Sequence, residues 1–538
     1  MTQKNTFLKT IFLCLCTVWI FSCADDKGNY NYKELNDVEI KGLEEEIEVL
    51  AFTNLNITPE FGDFVPTEET HDFEWKIIAT TGNKESQVIG TTRDLNYHVE
   101  LLADRYNLLY TVKEKNSDFY YRAQTTLLVN STVSEGWAVL CSDNNKTRLD
   151  FVSEITGETY QDILSATDIP QYEGPRAFQF LPQGQGYDDS PFYLFTDNGA
   201  TRLSKNDFAW EPEFAMEYEM GTGETTLPYR ISASGNQKML VTESNVHYCD
   251  FSMGDGLFGI AINKTYTPAP AIGCNVAASN IYSPVFLMYD TEGKQFMYYD
   301  KYGVYPLFGA YESEEMGYGV SFLDNYGEMI LGSPVVTGSS SIVMPVGEYD
   351  FKYMENTMYD PGNNLDGITY TILTKGNEFY LYGLQMGDGV LLMGESSDCS
   401  YIINKAYYGD LSQCTNISNA SHFAFSSLRN YMYYAVGGQV YRVDLSKKTL
   451  QAEEQFNLPG EEITCLKFYL YTEDRNSNRS YDLIVGSQKA GDETSSGILR
   501  VYEGFRSEGN FKNAEPSETH EGFAKIVDVI YREISNLQ

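Results

Sequence analysis

At 538 residues the chain is long enough for two or three domains with their own apolar cores, so neither disulfides nor a structural metal is needed to hold it. Its 38 Lys+Arg against 76 Asp+Glu leave a net charge of -38, and no local basic patch interrupts that field, which excludes nucleic acid as a partner. A hydrophobic content of 42% with 42 Tyr, 30 Phe and 44 Gly excludes disorder and predicts an all-β protein, because aromatics favour strands and Gly favours their turns.

Lys4 and Lys9 precede an apolar run from Ile11 to Phe21, followed by Ser22 and Cys23. That run is about half the ~20 residues a spanning helix needs, so residues 1–22 are expected to be a signal peptide. A Cys directly after the apolar core and behind a small residue resembles the bacterial lipobox, in which lipid is joined to the thiol and cleavage leaves that Cys first. Ala24-Asp25-Asp26-Lys27-Gly28 resembles the acidic export signal of Bacteroidetes lipoproteins displayed on the outer face of the outer membrane. The resemblance implies lipidation at Cys23, an acidic tether over residues 23–32 and a location on the outer membrane facing the cell exterior. No later apolar run approaches spanning length, leaving the lipid as the membrane attachment.

Cys14 and Cys16 would leave with the signal, and the later cysteines Cys141, Cys249, Cys274, Cys399, Cys414 and Cys465 show no CxxC spacing. Most sit in or beside apolar strand-like runs, which predicts buried free thiols. Cys399 and Cys414, both in loop-like polar sequence, are the pair open to a disulfide.

Residues 33–131 alternate short β-rich runs with turn residues, the pattern of an immunoglobulin-like sandwich. Strands are expected at 44–50, 73–77, 106–112 and 119–129, with Lys115-Asn116-Ser117-Asp118 as the turn of the last hairpin. Trp75, central in its run, resembles the Trp that packs between the sheets of PKD-type domains and is read as core.

Over residues 132–538 a strand-turn-strand unit recurs at intervals of roughly fifty residues. It begins at Gly136 to Asp150 and is repeated closely at Phe192 to Leu203, then more loosely at Met239 to Tyr248 and Phe286 to Phe296. Further copies lie at Ile372 to Phe379, Tyr433 to Tyr441 and Leu483 to Val501. Such hairpins are what β-propeller blades look like in sequence, because each blade is a small sheet that must stack on neighbours. The longer interval between Asp290 and Lys375 holds either an insertion or an eighth, degenerate blade. Seven blades with an insertion is the preferred reading. The strand-like segment Ala524 to Tyr531 could complete the first blade and remove exposed edges.

Chemistry is sparse in the sequence. The 5 His make neither HxxxH nor HExxH, so no metal site is expected, and GxSxG, P-loop and EF-hand patterns are absent. No catalytic residue and no cofactor is therefore nominated. Asp360 to Gly367 is oxygen-rich but misses the EF-hand spacing and is read as a turn. The Asp143 and Asp197 hairpins resemble the Asp-box turns of sialidases, and Tyr229-Arg230-Ile231-Ser232 resembles their Arg-containing strand, although the Trp and the order of the motifs differ. Exposed aromatics near turns could stack on a glycan or peptide: Trp210, Tyr302, Tyr359, Tyr407 and Tyr408 are the ligand-binding candidates, each with packing as its alternative role.

The signal with its lipobox, Gly28-Asn29-Tyr30-Asn31-Tyr32, the PKD-like sandwich and a repeat region opening at Gly136-Trp137 together resemble the PKD-like family lipoproteins of Bacteroidetes. Members of that family are commonly encoded beside SusC/SusD-like outer-membrane transporters. The resemblance implies a non-catalytic accessory, binding or scaffolding, of a TonB-dependent nutrient importer, with glycan or peptide cargo undecided. A propeller hydrolase or lyase, which a tight cluster of acids, Arg and His at the central channel would favour, and a purely structural subunit are the alternatives.

Overall fold

The computed structural model describes residues 39–51, 53–80, 86–99, 101, 103–181, 192–223, 227–234, 237–250, 256–263, 266–274, 286–300, 303–306, 335–339, 341–361, 367–389, 400–469, 478–492, 494–504 and 511–533. These residues form short strands and brief 3-10 turns, with no α-helix among them.

The N-terminal part is a sandwich. Five strands pair in the order Glu46–Leu50, Tyr120–Asn130, Asp104–Glu114, His71–Ala79 and Ser86–Gly90, and a two-stranded sheet of Asn54–Ile57 and Leu95–His98 shares their core. In His71–Ala79 the residues at 71, 73, 75 and 77 are buried and those between them are more open, the period-two signature of a strand packed on one face. Trp75 is fully buried, stacks on Tyr110 at 4.0 Å between ring centres and donates its Nε1–H to the Thr92 carbonyl at 3.0 Å. The Lys115 to Asp118 turn forms with Asn116 at φ 61°, a backbone shape Asn tolerates better than most side chains. Three short strands went unread in the sequence. Asn54–Ile57 carries Asn at alternate positions and Leu95–His98 is only four residues long with Asn96 and His98 among them, so the local signal is weak and their mutual pairing holds them.

Seven small sheets follow the sandwich in chain order, and each contains one of the repeated hairpins. One edge strand of each touches that of the next around a circuit: Lys525–Arg532, Pro175–Phe180, Pro228–Ser234, Gly273–Cys274, Asp350–Asn356, His422–Phe425 and Glu461–Phe468, which returns to Lys525–Arg532. The circuit closes because Lys525–Arg532, from the C-terminal end, pairs antiparallel with Gly136–Asp143. Every neighbouring pair of sheets shares an apolar cluster, such as Trp137, Val139, Cys465, Ile484 and Ile526 where the last sheet meets the first. Sheets stacked face to face bury both faces, which is why Phe192–Thr196 and Phe286–Asp290 are buried at every position instead of alternating. The arrangement is propeller-like. The long interval supplies Gly303–Pro306 to one sheet and Val335–Gly338 and Asp350–Asn356 to the next, so among the described residues it adds strands to its neighbours and forms no sheet of its own.

Cys141, Cys249, Cys274, Cys414 and Cys465 are buried free thiols. Cys414 lies in the cluster with Leu411 and Ile417, while Cys399 lies outside the described residues, as do Cys23 and the tether.

Trp75→Ala should cost the sandwich about 3–5 kcal/mol through lost burial and an unfilled cavity. Hydrogen exchange on the full chain reads this locally: amides of Asp104–Glu114 should speed up while those of Gly136–Asp143 stay as they are.

Candidate functional site

The edge strands that line the ring carry polar side chains into its centre, and these cross-link neighbouring strands. Asp528 accepts from the Phe178 N–H at 3.0 Å, and Gln179 accepts from the Ile231 N–H at 3.0 Å. The Ser232 hydroxyl donates to the Ile272 carbonyl at 3.0 Å, and Asn356 receives the Cys274 N–H at 3.1 Å. Glu355 accepts from the Phe425 N–H at 2.9 Å, His422 bonds the Thr464 backbone, and Lys467 donates to Asp528 at 2.6 Å. The result is a polar girdle of side chains gripping the backbone of the next strand.

Why the side chains point there follows from the strand geometry. Register shifts interrupt the pairing of the lining strands between Pro175 and Ala177, Pro228 and Arg230, Phe351 and Tyr353, Ile463 and Cys465, and Ile526 and Asp528. A bulge adds one residue and reverses which side chains face a given side. Arg230, Tyr353 and Asp528 are the residues at which pairing resumes, and all three are half-buried on the lining strands, as are Gln179, Glu355, Asn356 and Lys467.

Electrostatically the centre is mixed. Tyr353 donates its hydroxyl to Glu355 at 2.9 Å. Crowding by the ring pushes the Glu355 carboxyl up to about 7 although the Phe425 amide, Tyr353, Arg230 and Lys467 all favour its ionised form. The Tyr353 hydroxyl is driven well above its ordinary value by burial and then by Glu355. Asp528 is satisfied on both oxygens by Lys467, the Phe178 N–H and the Val529 N–H. Arg230 acts on Glu355 and Tyr353 through its charge, yet among the described residues its guanidinium has neither a hydrogen-bond nor an ion-pair partner.

The aromatic candidates read from the sequence do not converge on this centre. Trp210 donates to the Thr201 hydroxyl at 2.9 Å and packs, half-buried, against the cluster of Phe192 and Phe208. Tyr359 and Tyr407 are half-buried against another cluster, with Tyr407 edge-on to Tyr370 at 6.0 Å. Tyr408, on the opposite face of the same strand, is 43% exposed and stacks on Tyr380 at 6.2 Å. Tyr302 and residues 362–366 of the oxygen-rich loop lie outside the described residues. At the two Asp-containing hairpins the carboxylates bind arginine: Asp143 meets Arg148 at 3.4 Å and Asp197 meets Arg176 at 2.6 Å. Among the described residues no group of three His, Cys, Asp or Glu is placed to hold a metal ion.

Glu355, Lys467, Asn356 and Asp528 went unnoticed in the sequence. The available signal was a polar residue breaking an apolar run in a strand outside the hairpins, as in Leu466-Lys467-Phe468 and Val527-Asp528-Val529.

Residues 23–173 match the PKD-like family. The match takes in the sandwich and the first strands of the first ring sheet. No curated protein matches the chain. Among solved structures it is similar to a quinonprotein alcohol dehydrogenase-like protein from Bacteroides thetaiotaomicron, at 13% identity over 93% of this chain and 100% of that one with a TM-score of 0.39. The WD40 domain of SCAP from fission yeast is similar at 8% identity over 64% and 75% of the two chains with a TM-score of 0.30, and the tricorn protease at 12% over 75% and 43% with a TM-score of 0.18. No helix among the described residues is long and apolar enough to cross a membrane.

Glu355 titrates from an ordinary value of 4.5 to about 7, and buried Asp482, bonded to the Gly504 N–H at 3.0 Å, from 3.8 to about 7. Between those values the folded state holds more protons than the unfolded one, so these two acids make stability fall as pH rises toward 7. His422, lowered by burial, acts in the opposite sense below its ordinary value of 6.5. The difference between variants isolates the acid: Glu355→Gln should lose less melting temperature than the parent between pH about 5 and about 8, as read by calorimetry.

Proposed function

We propose that the protein is a cell-surface outer-membrane lipoprotein, held by lipid on Cys23, that serves as a non-catalytic binding or scaffolding component of a SusC/SusD-like TonB-dependent nutrient importer. In this reading residues 1–22 are removed, 23–32 form the tether, 33–131 the sandwich that spaces the ring from the membrane, and 132–538 a seven-bladed propeller. Seven sheets, with an apolar cluster at each junction of the circuit, support that blade number. The observation that carries the placement is Cys23 immediately behind the apolar run, at the residue where the PKD-like match begins.

Binding is favoured over turnover because the carboxylates at the ring centre are engaged in holding neighbouring strands together. Asp528 and Glu355 each accept a backbone N–H from the adjacent sheet. A hydrolase or lyase remains the second reading, on one observation: Glu355 titrates near neutrality beside Tyr353 and under the charge of Arg230. Turnover of a glycan by the parent and its loss in Glu355→Gln would favour that reading.

The test of the first reading is purification of the tagged chain from native outer membranes. Co-purification of a SusC/SusD-like pair is the expected outcome, and Cys23→Ser should release the protein from the membrane fraction. A chain that emerges alone overturns the importer role.

A further inference from the structure

We propose that the centre of the ring binds a carboxylate of the cargo, with the Arg230 guanidinium as its counter-ion and Tyr353 beside it. This deepens the binding reading above and rests on it. Acids outnumber bases two to one in the chain, 76 to 38, and several basic groups of the ring are paired with them. Arg148 meets Asp150 at 2.7 Å, Arg202 meets Glu219 at 2.5 Å and Arg500 meets Glu461 at 2.7 Å. The cation nearest in role, Lys467, is bound to Asp528 at 2.6 Å. Arg230 is left with neither a hydrogen bond nor an ion pair among the described residues, half-buried on a lining strand, with its charge felt by Tyr353 and Glu355.

A guanidinium is a planar fork that matches a carboxylate with two parallel N–H···O bonds. Within the ring, where solvent is thinned, such a pair is stronger than at the surface. The overall charge of -38 opposes the approach of polyanions, which selects a ligand carrying a single carboxylate on an otherwise uncharged body. The groups facing Arg230 and Glu355 set the pH response. They are Tyr353 on the strand of Glu355, Lys467 with Asp528, and the buried Cys465 thiol, with the Phe425 amide donating to Glu355. While Glu355 keeps its proton the centre is net positive; once it ionises, above about 7, it competes with the ligand for Arg230. Binding should therefore be tighter at pH about 6 than at about 8.

Calorimetric titration of the full chain tests this with two matched probe pairs: a short oligogalacturonate bearing one free carboxylate against its full methyl ester, and a tripeptide with a free C-terminus against its amide. One acid form should bind, with its uncharged counterpart weaker by at least about tenfold, and the pair that responds names the source of the carboxylate. Arg230→Met should erase the preference, and Glu355→Gln should flatten its pH dependence. If Arg230→Met melts below the parent, Arg230→Lys replaces it, keeping the charge but losing the fork; the preference should then be weakened. Equal binding of acid and uncharged forms, no binding by either acid, or an Arg230 variant that binds like the parent overturns the proposal. Failure of the importer reading is told apart by co-purification: Arg230→Met should still bring down the transporter, whereas a parent chain that brings down nothing sinks that reading and leaves the titration intact.

Discussion

The ring depends on one pairing, that of Lys525–Arg532 with Gly136–Asp143. Each sheet is apolar on both faces and can hide them only between two neighbours, so an open stack would expose two full faces and their unpaired strand edges. Letting the C-terminal strand enter the first sheet joins the two ends of the stack. It also makes the first and last sheets interdependent, since Trp137 and Val139 pack with Ile484, Leu499 and Ile526 in one cluster.

Arg532, at the end of that strand, carries the closure further. It is fully buried and donates to the carbonyls of Val133, Lys205 and Asn206, with its guanidinium 4.8 Å from the centre of the Phe208 ring. Burial without a carboxylate pulls its ionisation down to about 9, yet the cation is retained because three carbonyl dipoles converge on it. Val133 lies where the chain leaves the sandwich, so the last residues of the ring grip the segment through which the ring is entered. Closure and the junction with the sandwich are thus one construction.

The same demand for satisfied backbone shapes the centre. A lining strand has one edge without a ladder partner, and its N–H groups would be left without acceptors. Asp528, Gln179, Asn356 and Glu355 supply those acceptors from the next strand. Bulges turn these side chains inward while the rest of each strand keeps its apolar residues between the sheets. Among the described residues Arg230 takes no part in the girdle, and on the proposal above that is what separates a ligand-binding residue from residues spent on the scaffold.

Hydrophobic patterning by itself determined the all-β class, the core role of Trp75, the positions of the seven hairpins and the strand character of residues 524–531. Those features are local: a run of apolar residues, a turn of Asn, Asp or Gly, and a second run are written consecutively, and repetition fixes them further. The short strands Asn54–Ile57 and Leu95–His98 were illegible because four-residue, partly polar segments become strands only by pairing with one another. The girdle was illegible for a second reason. Its members lie between 40 and 350 residues apart, the extreme being Phe178 with Asp528, and the bulges break the period-two rule by which an inward residue is told from an outward one. Tertiary structure alone decided that Arg230, Tyr353 and Glu355 face a common centre, because the closing of the circle is a long-range event that no stretch of sequence records.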